Sequence, residues 1–257
     1  MNGATADPGS FRDPGGRIFE MDGRILRAVM PSAAPAYRAF RESGLLAQFA
    51  ESGRLISSDE TDTQIEGAEA AEFVLEHERL PFISYPYEWS FALHRRAALH
   101  HLDLQIDALR GGFMLSDATA YNVQFRGNRP VFIDHLSFRP YQDGEPWVGD
   151  RQFWMLVLTP LLLRSRRGVA PNAWFRGSLE GIAPEELAPL LRWRDNLSWT
   201  VLSHVTMQAG LQRRMTREAK WADRAAQTRV PRRNDEAILL GLRHFIEHCR
   251  LRNRSSV

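Results

Sequence analysis

The sequence has very little cysteine, and this scarcity excludes two kinds of structural site. Among 257 residues there is one cysteine, Cys249. The chain therefore has no disulfide framework of its own and no cysteine zinc site, which makes a reducing compartment the default. We expect a cytoplasmic protein.

The sequence is equally poor in lysine, because Lys220 is the single example and nearly all positive charge comes from arginine. The 33 basic residues almost balance the 31 acidic residues, for a formal net charge of +2. This balance argues against the basic surface that nucleic-acid binding requires. We expect no nucleic-acid partner.

Segments that would place the chain in or across a membrane are also missing. The N-terminus has no basic start followed by an apolar core, so it does not indicate a secretory signal. The longest apolar run, 153–163, contains Pro160 and is too short to span a bilayer. We interpret it as a buried helix and expect no membrane partner.

The order of patterns predicts an α+β fold with two lobes. Residues 1–16 are rich in Gly and Pro and predict a flexible N-terminal arm. Residues 17–88 predict a strand-rich lobe, which includes a hairpin at Asp22-Gly23 and a helix capped by Ser32. Residues 89–257 predict a helical lobe, opened by a long helix over about 90–109.

The stretch "LSDATAYNVQFRGNRPVFIDHLSF", 115–138, carries the strongest chemical signal. Asp117 is followed after five residues by Asn122, and Asp134 follows twelve residues later, beyond an alternating run broken by a turn. A hairpin would return Asp134 beside Asn122, and such oxygens suit magnesium. The alternative is an ordinary turn and hairpin whose carboxylates cap backbone amides.

This stretch resembles the protein-kinase-like superfamily, especially its aminoglycoside-phosphotransferase and small-molecule-kinase branch. The resemblance implies that Asp117 is the catalytic base and that Asn122 and Asp134 bind metal. It also implies ATP or GTP and Mg²⁺ as cofactors. Two neighbours depart from the superfamily pattern, namely Leu115 before the catalytic position and His135 after the metal position.

Two further parts of that superfamily pattern are replaced or absent. No glycine-rich G-x-G-x-x-G loop lies near the start, and no lysine occupies the expected strand, where Arg24 or Arg27 would stand in. Arginine can bind phosphate but does not simply replace lysine. Glu42, fifteen residues after Arg27, is at a suitable distance to pair with it. Alternatively, all three are solvated surface charges.

An aromatic segment, 84–91, precedes the long helix. In the kinase-like reading it links the lobes, and Tyr85 and Tyr87 line the nucleotide-base pocket. The alternative is an aromatic seam between the two parts of the fold.

A second resemblance covers residues 10–160 most strongly. Stretches such as "LPFISYPYEWSFALHRRAAL" and "PVFIDHLSFRPY" are similar to the N-terminal region of bacterial proteins labelled SAM-dependent methyltransferases, including nodulation-associated ones. The chain has no acidic residue followed by a glycine-rich SAM loop. The resemblance therefore implies a methyltransferase as a partner, not as the activity of this chain.

Together these patterns predict an ATP- and magnesium-dependent phosphotransferase acting on the hydroxyl of a small molecule or natural-product intermediate. The alternative is a catalytically silent kinase-like module that binds a ligand or a partner methyltransferase. A magnesium-dependent response to nucleotide separates the two.

Overall fold

The N-terminal part of the fold is an antiparallel five-stranded sheet. The computed structural model describes residues 4–12, 14–192, 195 and 232–251. The sheet has the order β1-β2-β3-β5-β4. Its strands are β1 (Thr5–Ala6), β2 (Gly16–Met21), β3 (Arg24–Val29), β4 (Ser58–Glu60) and β5 (Phe73–His77).

The hairpin between β2 and β3 forms as predicted. Asp22 and Gly23 both have positive φ, 51° and 77°, which a two-residue turn between twisted strands requires. The register places Arg27 opposite Ile18 on one side and Leu75 on the other. Arg27 therefore sits in the middle of the sheet.

Within the segment 1–16, which the sequence predicts as a flexible arm, part of the chain is paired with the sheet. β1 pairs with β2, Thr5 opposite Glu20, and the Ser10 hydroxyl accepts a hydrogen bond from the Ile18 amide at 3.1 Å. The Gly and Pro content signalled mobility, but backbone pairing with the adjacent strand fixes the segment.

The remaining elements are mainly helical, which confirms a mixed α and β fold. The helices are α1 (Ala34–Glu42), α2 (Leu45–Glu51), α3 (Phe91–Arg110), α4 (Asp150–Phe153), α5 (Thr159–Leu162), α6 (Asn172–Gly177), α7 (Pro184–Leu187) and α8 (Arg232–Glu247). Within the described ranges, no helix is both long enough and apolar enough to cross a bilayer.

Two short antiparallel sheets follow α3 and carry the acidic stretch. In one, β6 (Phe113–Leu115) pairs with β9 (Phe138–Pro140); in the other, β7 (Val123–Arg126) pairs with β8 (Arg129–Phe132). The second pair is the predicted hairpin. Phe132 also exchanges backbone hydrogen bonds with Arg54 and Ile56, each at 2.8 Å. The hairpin is thereby tied to the segment before β4.

Two local predictions need correction and one holds. Ser32 does not cap α1, since the cap position is Ala33 and the Ser32 hydroxyl donates to the Pro14 carbonyl. The run 82–85, which its apolar residues and flanking prolines predict as a strand, forms no strand and leaves Phe82 68% exposed. The long helix is confirmed as α3, with Ser90 as its cap.

The largest core packs around α3, and the apolar run 153–163 lies within it. Residues 150–167 form one continuous helical path in which π-helical segments, Trp154–Leu158 and Leu163–Arg167, follow α4 and α5. The predicted buried helix is therefore confirmed. The prediction "SWTVLSHVTMQAGLQRR" as helix lies outside the described residues.

Phe40 connects α1 to the acidic stretch. Its ring stacks on Phe138 of β9 at 4.4 Å between centroids, and it also contacts Phe49 and Phe113. Phe40 and Phe138 are fully buried. This aromatic cluster positions β9, and hence the loop that precedes β9, against α1 and α2.

We predict that Phe40→Ala lowers the free energy of unfolding by about 3–5 kcal/mol, because it leaves a cavity in this cluster. Urea denaturation measures the change. Phe82→Ala, the same substitution at an exposed ring, should change stability by about 0.5 kcal/mol or less. Equal costs for the two variants would contradict the packing described here.

Buried histidines on α3 make stability depend on pH. His101 is fully buried against Phe132 and Phe153. Burial lowers its pKa from 6.5 to about 3, because an imidazolium is poorly solvated there. A lowered folded-state pKa means that the unfolded chain binds the proton more readily, so stability is full above pH 6.5 and is lost as pH falls below it.

We predict that His101→Phe reduces the free energy of unfolding that is lost on acidification. The reduction should reach up to about 1.4 kcal/mol per pH unit below pH 6.5. The measurement is the free energy of unfolding from urea titrations at a series of pH values. The matched control is His248→Phe, the same change at an exposed histidine. Parallel pH profiles for wild type and His101→Phe would refute the assignment.

Candidate functional site

A buried ion pair joins the sheet to the loop after the β7–β8 hairpin. Arg27 of β3 places Nη1 2.7 Å from Oδ1 of Asp134. The two side chains are 8% and 16% exposed. Two of the residues singled out in the sequence therefore meet, and the strand arginine neutralises the carboxylate predicted to bind metal.

Gly16 makes room for this arginine. A Cβ at Gly16 would lie 2.9 Å from Nε of Arg27 and 2.7 Å from Cδ1 of Leu136. Both distances are too short for real contacts, so β2 needs glycine here for Arg27 to lie flat across it. Gly16, the second glycine of "DPGG", thus serves close packing against Arg27.

Ser137 connects the acidic stretch internally. Its hydroxyl donates to Oδ2 of Asp134, and it accepts from Nδ2 of Asn122 at 3.4 Å. Oδ1 of Asp134 also accepts from the Leu136 amide at 3.0 Å. Asn122 and Asp134 therefore converge on one hydroxyl, as the predicted hairpin requires.

Asp117 lies in the neighbouring loop and is joined to the same point through the backbone. The amide and hydroxyl of Ser116 both donate to the Ser137 carbonyl, at 2.7 and 2.8 Å. Oδ1 of Asp117 accepts from the Thr119 amide at 3.0 Å, which fixes its carboxylate in a turn. Asp117 thus follows a residue that is hydrogen-bonded to Ser137, the residue on which Asn122 and Asp134 converge.

His135 connects the loop after the β7–β8 hairpin to Ile56 and Ser58. Its Nε2 donates to the Ile56 carbonyl at 2.8 Å, so Nδ1 accepts from the Ser58 hydroxyl at 3.2 Å. His77 of β5 packs edge-on against the His135 ring at 5.0 Å. Burial lowers the pKa of both imidazoles, that of His135 to about 4, so both are neutral near pH 7.

Arg24 and Glu42 lie outside this cluster. Arg24 pairs with Glu76 of β5 at 2.5 Å, and both side chains are more than a third exposed. Glu42 is 63% exposed and its partner, at 3.7 Å, is the adjacent Arg41. The predicted Arg27–Glu42 pair is therefore wrong, because Asp134 is the carboxylate that faces Arg27.

The aromatic segment before α3 is fixed to the hairpin by Gln124. This β7 side chain accepts from the Ser84 amide at 2.8 Å and donates to the Ser84 carbonyl at 3.1 Å. Just beyond, the rings of Tyr85 and Tyr87 stack at 5.3 Å with an interplanar angle of 3°. Tyr85 is 44% exposed, so the stack has an open ring edge at the surface.

Sequence reasoning missed Gly16, Gln124 and Ser137. Ser137 had a signal, since a serine three residues after an aspartate often closes a short capped turn. Gln124 had a weaker signal, as a polar residue at an inward position of the alternating run. Gly16 had none, because its role depends on the side chain of a neighbouring strand.

The arrangement combines oxygen donors with a neighbouring cation. Asp134, Asn122 and Ser137 offer carboxylate, amide and hydroxyl oxygens of the kind that magnesium takes. Arg27 offers a guanidinium group that matches carboxylate or phosphate. These groups are of the kinds that bind cations and phosphates, and either ligand would compete with the Arg27–Asp134 contact.

We predict that Arg27→Met costs about 3–5 kcal/mol of unfolding free energy, because it leaves the Asp134 charge buried without its partner. Urea denaturation measures the loss. Adding Asp134→Asn should recover part of it, because the stranded charge disappears. Arg24→Met, at the exposed Arg24–Glu76 pair, should cost about 1 kcal/mol or less; a similar loss for both arginines would contradict the account.

Comparison with known proteins gives one relative by sequence and a distant structural match. No protein-family profile matches the chain. The chain is 46% identical over 216 residues to the nodulation protein NoeA of Rhizobium meliloti (strain 1021). That alignment covers 82% of this chain but 44% of NoeA, so the chain spans less than half the length of this relative.

Among solved structures, vaccinia related kinase 3 matches with a TM-score of 0.42 and 12% identity. The match covers 69% of this chain and 72% of that chain. The sequence similarity confirms the expected likeness to a nodulation-type protein.

Proposed function

We propose that the chain is a phosphotransferase of protein-kinase-like architecture. It transfers the terminal phosphoryl group of ATP or GTP, with Mg²⁺, to the hydroxyl of a small molecule. The observation that carries the proposal is the convergence of Asn122 and Asp134 on Ser137, with Asp117 joined to the same residue through Ser116. Asp117, Asn122 and Asp134 follow one another around the hairpin in the order of base, amide and carboxylate that kinase-like proteins have. This order supports the same function.

The donor set fits the implied metal and nucleotide. Asp134 and Asn122 would hold Mg²⁺, which when bound offsets phosphate charge and keeps the reacting groups in line. Ser137 keeps both side chains oriented toward each other. Asp117, held by the Thr119 amide, orients the acceptor hydroxyl and takes its proton.

Arg27 has a double role in this proposal. Without ligand it neutralises Asp134, and with ligand its guanidinium binds a phosphate oxygen in place of the strand lysine. Each charged group would keep a partner of opposite sign. Asp134 would face a metal ion in place of Arg27, and Arg27 would face a phosphate in place of Asp134. Gly16 leaves the space in which this side chain lies.

Tyr85 and Tyr87 supply the proposed base contact. Their parallel stack lies beside β7 and has an exposed member. Aromatic faces stack on nucleobases with little sequence preference, so ATP and GTP are both candidates. NoeA is named a nodulation protein. By this similarity the acceptor would be a molecule used in nodulation.

A second candidate is a catalytically silent module that binds a ligand or a partner methyltransferase. The buried Arg27–Asp134 pair favours it, because a satisfied carboxylate with an arginine partner has less to gain from a metal ion. The exposed apolar run of Phe82, Ile83 and Tyr85 adds a surface suited to protein contact.

We predict that ATP or GTP raises the thermal unfolding midpoint in the presence of Mg²⁺ and not in its absence. Ligand at 100 times its dissociation constant stabilises the folded state by about 2.7 kcal/mol. Asp134→Asn should abolish the shift, because it removes the metal ligand. Asp143→Asn, at an exposed aspartate beyond β9, should retain it.

The absence of any nucleotide-dependent shift would overturn the phosphotransferase and leave the silent module. A shift that survives Asp134→Asn would place the nucleotide elsewhere and reject the site. A shift with SAM alone would assign methyl-donor binding to this chain, against both candidates.

A further inference from the structure

We propose that the C-terminal end of helix α8, with the residue that follows it, forms a zinc-binding site from His244, Glu247 and His248. One ligand atom from each of these exposed side chains lies within 4.8 Å of the others. The site is separate from the hairpin cluster and does not depend on the proposed phosphotransferase activity.

The spacing suits a metal because of helix geometry. Residues at positions i, i+3 and i+4 share one face of a helix, and two histidines four residues apart can bind the same ion. Ligand atoms of a tetrahedral zinc site lie about 3.4 Å apart. Small rotations of exposed side chains close the remaining distance.

The tautomer of His248 is already fixed for metal binding. Its Nδ1 donates to the His244 carbonyl at 2.8 Å, so the lone pair of Nε2 remains for a metal. Histidines that bind metal commonly donate their other ring nitrogen to a carbonyl or carboxylate in this way. The two imidazole rings lie 4.2 Å apart between centroids.

Glu247 is oriented by a second residue that is itself anchored. Nη1 of Arg243 contacts Oε2 of Glu247 at 3.2 Å, while Nε of Arg243 donates to Asp103 of α3 at 2.5 Å. The contact engages Oε2 and leaves Oε1 for an ion. A partner that holds a carboxylate in this way tunes metal affinity.

The helix that carries the triad is rigidly attached. Leu239, Leu242 and Ile246 are buried against the core. Arg110 reaches Glu236 at 2.8 Å, and Arg95 donates to the Cys249 carbonyl at 3.0 Å. Sites on anchored helices hold their ligands more exactly than sites on loops.

A cavity of about 390 Å³ adjoins the triad. Both histidines line it, together with Ser165, Arg166 and Arg250. Three protein ligands leave one zinc position open, as in catalytic rather than structural zinc sites. Because both histidines line the cavity, an ion held by them would adjoin it, and water or a small anion near the two arginines would complete its coordination.

The test is a calorimetric titration of untagged, metal-free protein with Zn²⁺. Wild type should bind one equivalent, and His244→Ala or His248→Ala should weaken binding at least tenfold. Arg243→Gln should weaken it less, because it disturbs only the orientation of Glu247. Asp134→Asn, in the hairpin cluster, should leave affinity unchanged.

Circular dichroism of each variant checks that α8 is intact. Glu247→Gln changes the third proposed ligand without loss of side-chain volume. The absence of zinc uptake by wild type would overturn the proposal. So would unchanged affinity in both histidine variants, or a loss with Asp134→Asn equal to theirs. Because Asp134→Asn is included, failure of this site and failure of the hairpin site give different results.

Discussion

The ion pair between Arg27 and Asp134 is the contact on which the candidate site depends. It joins the central strand of the sheet to the loop that follows the hairpin, at 2.7 Å and largely away from solvent. Burying two charges is costly unless they are paired and further hydrogen-bonded. Here the Leu136 amide and the Ser137 hydroxyl satisfy Asp134 from the other side, so one carboxylate fixes the sheet, the loop and Ser137 together.

The surrounding structure keeps this contact in place from several directions. Phe40 stacks on Phe138 and positions β9, while His135 binds the backbone of Ile56 below the loop. Gly16 is needed above Arg27, where any side chain would collide with it. A phosphoryl-transfer site and a silent binding module would share this framework and differ in whether Asp134 exchanges Arg27 for a metal ion.

Much of this arrangement could be predicted from local sequence signals. Asp22-Gly23 determined the first hairpin, the spacing of apolar residues predicted α3, and the alternation around 123–132 predicted the hairpin that unites Asn122 with Asp134. These signals work because turn chemistry and periodicity act over a few residues. The grouping of Asp117 with the other two followed from the kinase-like resemblance.

The sequence predictions that failed concern residues whose positions depend on contacts with residues far away in the sequence. Glu42 had the right spacing along the chain, but the carboxylate nearest Arg27 comes from a loop more than a hundred residues away. Thr5 and Ala6 lie in the segment 1–16 that composition predicts as a flexible arm, yet they pair with β2. The role of Gly16 follows from the Arg27 side chain on the neighbouring strand, and that of Gln124 from the backbone of Ser84, which are contacts between residues distant in sequence.

A crystal structure of the protein with Mg²⁺ and a non-hydrolysable ATP analogue tests the central claim most directly. The account predicts metal on Asp134 and Asn122, with the Arg27 guanidinium moved from Asp134 to a phosphate oxygen. An intact Arg27–Asp134 pair, with the nucleotide absent or bound elsewhere, would contradict it.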